Sequence, residues 1–363
     1  MKTNLSLMAV AAALALAGCG KPPGPAAKEP QPTPAPLPAE APASKELNIF
    51  CWSEYIPPSL INRFQQETGI QVTVRNYASN EEMLSKLLAG DSNFDILLPG
   101  EHVVGALVKD GLLRPLETEK IPNLRHIDPE FLNRGFDPGN KFSVPFMAGT
   151  VGIVVNTEMI PGDIKGFADV FTEANRGRIV VLDDAREIAT WGFFVQGTPI
   201  NRASDEDLRK VRPLLAGWLP LVSVYDSDSP KTALLNGDAA IGVVWGGEGA
   251  ILLNEDRKFK WVIPAEGTHL FIDSLVIPKA AKNPGNAEAF INFLLRPDVS
   301  KEISDAFPYL NPNRAARELL TPGQRENPAS FPSDEEIARM QVFEDIGPRA
   351  LKIDELVTSL KVQ

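Results

Sequence analysis

Cysteine and histidine are nearly absent from this chain. Two cysteines, Cys19 and Cys51, stand among 363 residues, so no framework of intramolecular disulfides can hold the fold. The three histidines, His102, His126 and His269, are far apart, and none lies at metal-ligand spacing from another or from a cysteine. The four tyrosines include no adjacent pair, which leaves no tyrosine-rich ferric site; neither a metal nor a cofactor is expected. No glycine-rich loop has phosphate-binding spacing, since Gly246-Gly247 lacks a Lys-Ser/Thr sequel. No serine sits in a nucleophile-elbow pattern. The chain therefore reads as a non-enzyme. Its one candidate nucleophile, Cys51, ends an apolar stretch where a buried thiol is the simpler reading. Basic residues are also in deficit, 36 Lys and Arg against 47 Asp and Glu, for a net charge of −11. Such a balance excludes nucleic acid as a partner, because no basic field collects phosphates.

Long apolar runs are scarce as well. The run at 5–17, after Met1-Lys2, is too short for a comfortable transmembrane helix. A positive start, a short apolar core and small residues after it predict a secretory signal peptide over 1–18. It ends in Leu16-Ala17-Gly18-Cys19, which is similar to a bacterial lipobox and implies a diacylated Cys19 at the mature N-terminus. Between 20 and 43, nine residues are proline. That composition cannot build a core and predicts an extended tether over 19–44.

From about Lys45 the chain has ordinary globular composition and is long enough for about two domains. Leu47-Asn48-Ile49-Phe50-Cys51 reads as a buried strand, 59–68 as a helix with Leu60 and Phe64 on one face and Gly69 as its stop. Residues 70–74 alternate as a strand, and Ser79-Asn80-Glu81-Glu82 opens a further helix in capping-box fashion. Strand patterns recur at 95–99, 152–156, 178–182, 239–245 and 273–278, separated by helical patterns after Asp184, at 208–215 and at 287–295. Strands alternating with helices predict an α/β fold with parallel units. No linker divides the body, so two lobes connected by crossing strands are expected, with a cleft between them. Ligands of open α/β sheets lie beyond the carboxyl ends of strands. The first strand ends in Trp52-Ser53-Glu54-Tyr55, two aromatics around a carboxylate, a set suited to an organic cation. The strand at 239–245 repeats the pattern by ending in Trp245.

Several motifs fall in order along the chain: Trp52-Ser53-Glu54-Tyr55-Ile56-Pro57-Pro58, Glu67-Thr68-Gly69-Ile70, Ser79-Asn80-Glu81, Asp183-Asp184-Ala185-Arg186-Glu187, Asp273-Ser274-Leu275 and Asn292-Phe293-Leu294-Leu295-Arg296-Pro297-Asp298-Val299. From about Leu47 to near the C-terminus the chain resembles the periplasmic spermidine/putrescine-binding proteins of bacterial ABC polyamine importers. The resemblance implies a type II periplasmic-binding-protein fold, each lobe a mostly parallel sheet flanked by helices. Lobe 1 is then 45–149 plus 273–319, and lobe 2 is 150–272 plus 320–363.

The resemblance also implies a site. Trp52, Ser53 and Tyr55 match aromatic and hydroxyl positions of the first lobe. Asp184 and Glu187 match acidic positions of the second, although Asp184 to Glu187 also fits a helix-start capping box. Ser227 matches a hydroxyl, Trp245 a box aromatic, and Asp273 the carboxylate placed on an amine. Phe271 stands where members carry Trp or Phe, Glu248 where putrescine-type members carry Asp, and Tyr309 at another aromatic wall. Two departures stand out: Pro99-Gly100-Glu101-His102 replaces a usual Pro-Ser, and Phe343 replaces a polar contact. The implied protein is a monomeric, lipid-anchored receptor in the periplasm or on the outer face of the cytoplasmic membrane. It would pass a polyamine to ABC permease subunits. A sensor docking on a membrane signalling partner is the alternative.

Overall fold

The computed structural model describes residues 44–90 and 93–361. The expected signal peptide, Cys19 and nearly all of the tether lie outside the described residues. Ten strands are found among them: β1 (Glu46–Trp52), β2 (Gln71–Tyr77), β3 (Ile96–Leu97), β4 (Ser143–Asn156), β5 (Ile179–Val181), β6 (Val222–Tyr225), β7 (Ile241–Trp245), β8 (Phe259–Val262), β9 (Thr268–Val276) and β10 (Met340–Gln341). Their order is β2-β1-β3-β9-β4-β7-β5-β6, with β10 beside β9 and β8 beside β4.

The order explains the two lobes. β2, β1 and β3 are parallel, as are β6, β5 and β7, and helices cover these units as the alternating pattern requires. Between them run β4 and β9, antiparallel to each other. β4 pairs β9 over Ser143 to Thr150 and β7 over Val151 to Val155, so one strand belongs to both halves. All fourteen of its residues are buried. One pair of apolar cores flanks β1, built on Phe50, Phe64 and Phe290; another flanks β7, built on Trp191, Phe193 and Trp261. The C-terminal helix Arg349–Lys361 closes the second half with Ile353, Val357 and Leu360.

Local signals hold where the chemistry is local. Gly69 ends helix Pro58–Thr68 in the left-handed region at φ 71°. Ser79 caps helix Asn80–Leu88 by accepting from Glu82 N at 3.1 Å, while Glu82 reaches past it to Ala78 N at 3.0 Å. The crossing strands extend further than their apolar runs. β4 begins at Ser143 rather than Gly152, and β9 at Thr268 rather than Asp273. Pro145 and the polar Ser143, Thr150 and His269 interrupt the hydrophobic pattern. Ladder pairing between the two strands overrides it, with a register shift beside Pro145.

Close packing at the crossing depends on missing side chains. The Trp261 ring is wedged between Gly152 of β4 and Gly249 of helix Gly246–Glu255; a methyl at Gly249 would meet the ring at 2.5 Å, and one at Gly152 would overlap it too. Gly152→Ala is expected to lower stability by about 1–3 kcal/mol through overpacking. Gly217→Ala, in helix Asp205–Trp218 with nothing within 4 Å of the added methyl, should raise it by about 0.5–1 kcal/mol. Urea midpoints of the two variants read both signs.

Candidate functional site

A cleft enclosing about 780 Å³ of space, part of it open to solvent, lies where the two halves of the sheet meet. All eleven residues that the family resemblance assigns to the site line it. Trp52 reaches it from the end of β1, and Ser53 and Tyr55 from the loop beyond. Trp245 reaches it from the end of β7, Glu248 from the first turn of helix Gly246–Glu255, and Ser227 from the turn after β6. Asp184 and Glu187 stand at the start of helix Ala185–Val195. On β9 every second residue points to one face, which places His269, Phe271 and Asp273 together in the wall. Tyr309 comes shortly after helix Pro297–Ala306.

The aromatic rings form a continuous lining. Trp245 meets Phe271 edge-on at 5.3 Å, Phe271 meets Tyr309 at 6.0 Å, Tyr309 meets Tyr55 at 6.0 Å, and Tyr55 meets Trp52 at 6.5 Å. Glycines make room behind this lining. A methyl at Gly149, paired with Phe271 across the ladder, would lie 2.6 Å from that ring, and one at Gly247 would overlap Tyr309. The indole N–H groups are bound within the protein, Trp52 Nε1 to Leu98 O at 3.0 Å and Trp245 Nε1 to Ser227 O at 2.9 Å. Ring faces are thus left for a ligand.

Buried carboxylates define the polarity. Asp273 is 5% exposed, and Oδ2 accepts from the Tyr55 hydroxyl at 2.5 Å. Burial raises its pKa to about 7, with the Tyr55 bond working in the other direction. Glu101 accepts from Ile272 N at 3.0 Å, Phe343 N at 3.2 Å and His269 Nε2 at 3.0 Å. His269 Nδ1 lies 2.5 Å from Glu187 Oε1, so the imidazole bridges two carboxylates. Burial works against charge on His269, but Glu187 and Glu101 outweigh it and raise its pKa to about 9. Burial likewise opposes charge on Glu101, yet His269 and His102 hold it well below the usual carboxylate range. Glu187 does not cap its helix through its side chain. Asp184 does, accepting from Arg186 N at 2.8 Å and Glu187 N at 2.9 Å. Glu187 Oε2 and Ser227 Oγ are buried with no partner among the described residues.

Glu248 has a partner that the sequence pattern does not show. Lys231 Nζ lies 3.0 Å from its Oε1, and also 2.8 Å from Glu54 Oε2. Burial raises Glu248 to about 7 against the pull of Lys231, and Lys231 stays above its ordinary value because the two carboxylates outweigh its own burial. Ser53 Oγ donates to Asp228 Oδ1. Of the departures, Gly100 gives its N–H to Asn80 Oδ1 at 3.3 Å. Phe343 stacks on His269 at 3.7 Å beneath the Arg186 guanidinium at 4.1 Å. Neither Lys231 nor the bridging role of His269 is visible in the sequence, because ion pairing between distant residues leaves no spacing signal. Cys51 is buried and its thiol is pushed up to about 12, which leaves no thiolate for nucleophilic chemistry.

Residues 59–336 match the family of bacterial extracellular solute-binding proteins. The chain is 34% identical over 317 residues to the spermidine/putrescine-binding periplasmic protein of Salmonella typhimurium, covering 87% of this chain and 91% of that one. A solved structure of a putative spermidine/putrescine ABC transporter from Listeria monocytogenes superposes with a TM-score of 0.84 at 34% identity, over 88% of this chain and 99% of the other. The substrate-binding protein PotD of a spermidine/putrescine ABC transporter from Streptococcus pneumoniae gives 0.76 at 34% identity, over 88% and 99%. Fold, cleft and sequence agree: the chain belongs to the bacterial extracellular solute-binding proteins, a family of binding proteins rather than enzymes.

Proposed function

We propose that the protein captures a polyamine of the putrescine or spermidine class in this cleft and hands it to an ABC importer. The observation that carries the reading is Asp273, a carboxylate taken out of water inside an aromatic lining; among the described residues its one side-chain hydrogen bond comes from a tyrosine hydroxyl. A buried carboxylate without a cation is costly. An ammonium repays that cost through a charge-assisted hydrogen bond, while ring faces cover its methylenes. The similar proteins from Salmonella and Streptococcus are both named for spermidine and putrescine, and the second is named as part of an ABC transporter.

The body then works as two lobes, 45–149 with 273–319 and 150–272 with 320–363, closing on ligand that contacts both. The closed form is the one a permease reads, and ligand contacts made to both lobes add to the protein's own bonds between them in biasing the equilibrium toward it. Cys19 holds this monomer to a membrane by its lipid, and the proline-rich segment sets it at a distance. The protein is a carrier, and its cleft serves binding rather than catalysis.

Calorimetric titration of the full-length protein with putrescine, cadaverine, spermidine and spermine tests the reading. Binding of one or two is expected, and no binding by a folded protein would overturn it. Asp273→Asn should weaken the bound amine by about a hundredfold or more, the usual cost of removing one member of a desolvated charge pair. The wild type should also lose affinity as pH falls, because binding requires the Asp273 carboxylate and its pKa without ligand is about 7. Between pH 8 and pH 6 the dissociation constant should rise by about tenfold. Gly247→Ala, which pushes Tyr309 from its place, should weaken binding with little change in the pH profile.

A further inference from the structure

Lys231 is a side chain placed as a ligand would be. Its Nζ lies 2.8 Å from Glu54 Oε2, 3.0 and 3.1 Å from the two oxygens of Glu248, and 3.0 Å from Ser229 Oγ. An ammonium has three N–H donors, so these acceptors saturate it. Its backbone N–H also donates to Glu248 Oε2, at 3.3 Å, where helix Lys231–Asn236 begins. The side chain is 14% exposed and that of Glu248 is 2% exposed. Both oxygens of the carboxylate at this end of the cleft are therefore in use before any ligand arrives.

The remaining carboxylates differ. Among the described residues, Asp273 takes a side-chain hydrogen bond only from the Tyr55 hydroxyl. At the other end, Glu101 and Glu187 share the His269 imidazole, with the Arg186 guanidinium acting on both from a distance, and Glu187 Oε2 is a buried acceptor with nothing described on it. Asp184 Oδ1 is taken by two helix N–H groups, which only partly offset the burial and the neighbouring Glu187 that raise its pKa. Glu54 is exposed, and water screens it. Asp183 and Asp228, also in the lining, are exposed like Glu54, so among the described residues Asp273 and Glu187 are the buried carboxylates with an oxygen open to a ligand cation.

We infer that Lys231 is a built-in occupant of one ammonium position, so that the cleft selects a diamine, held on Asp273 and Glu187, over a triamine or tetramine. The inference rests on the polyamine reading and names the ligand class within it. A third ligand ammonium near Glu248 meets a like charge a few ångströms away in a poorly solvated site. Displacing Lys231 instead strands it without its anion, and a buried charge without a partner is costly.

The test compares putrescine with spermidine by calorimetry on the full-length wild type, Lys231→Met and Glu54→Gln. Lys231→Met keeps the apolar stem and removes the charge. Glu54→Gln changes an exposed residue, leaves the fold alone and loosens the hold on Lys231. The wild type should prefer putrescine. Lys231→Met should shift the affinity ratio toward spermidine by at least tenfold, and Glu54→Gln should shift it the same way by a smaller factor. A purely structural lysine would weaken both ligands equally, so an unchanged ratio in folded variants overturns the inference while leaving the receptor reading intact. A wild type that prefers spermidine overturns it too. If no amine binds the wild type or either variant, the receptor reading falls, and the inference falls with it.

Discussion

The cost of holding carboxylates out of water governs the centre of this molecule. Each such group must find donors or a cation, because the lost hydration is worth several kcal/mol per ion. The donors come from segments far apart in the chain. Glu101 draws on Ile272, Phe343 and His269, Glu187 on His269, and Glu248 on Lys231. The same bonds therefore hold β9, the segment after β10 and the helix starts in a fixed relation around the cleft. Among the described residues, Asp273 has only the Tyr55 hydroxyl as a side-chain hydrogen-bond partner, and Glu187 keeps one oxygen without any.

The fold delivers these groups because two antiparallel strands run from one half into the other. β9 presents His269, Phe271 and Asp273 on one face, and β4 lies beneath with Gly149 against the Phe271 ring. Parallel strands on either side end at the cleft, which brings Trp52 and Trp245 into the lining of one cavity. An aromatic lining of this kind requires bulk on one side and its absence on the other. Gly149 and Gly247 supply the absence, so the glycines belong to the site as much as the rings do.

Much of this was legible in the sequence, for reasons that differ by residue. Helix Pro58–Thr68 and its Gly69 cap come from local periodicity and backbone preference. Trp52 and Trp245 announce themselves as aromatics at the ends of apolar strands. The placing of Phe271, Glu248 and Tyr309 required family motifs, since no local rule marks them. The start of β4 at Ser143 was hidden because its polar residues and Pro145 break the hydrophobic pattern, and only pairing with β9 makes it a strand. Lys231 was hidden for a similar reason. Its partners Glu54 and Glu248 lie 177 and 17 residues away, and a charge pair made by folding has no period. His269 lacks metal-ligand spacing in the sequence, and its real partners are carboxylates.

The most direct test of this account is a crystal structure of the protein with putrescine bound. One ligand nitrogen should lie within hydrogen-bond distance of Asp273, with the carbon chain against the Trp245, Phe271 and Tyr309 rings and Lys231 still on Glu248. A ligand nitrogen seated on Glu248 with Lys231 turned away, or a diamine bound outside the cleft, would contradict it.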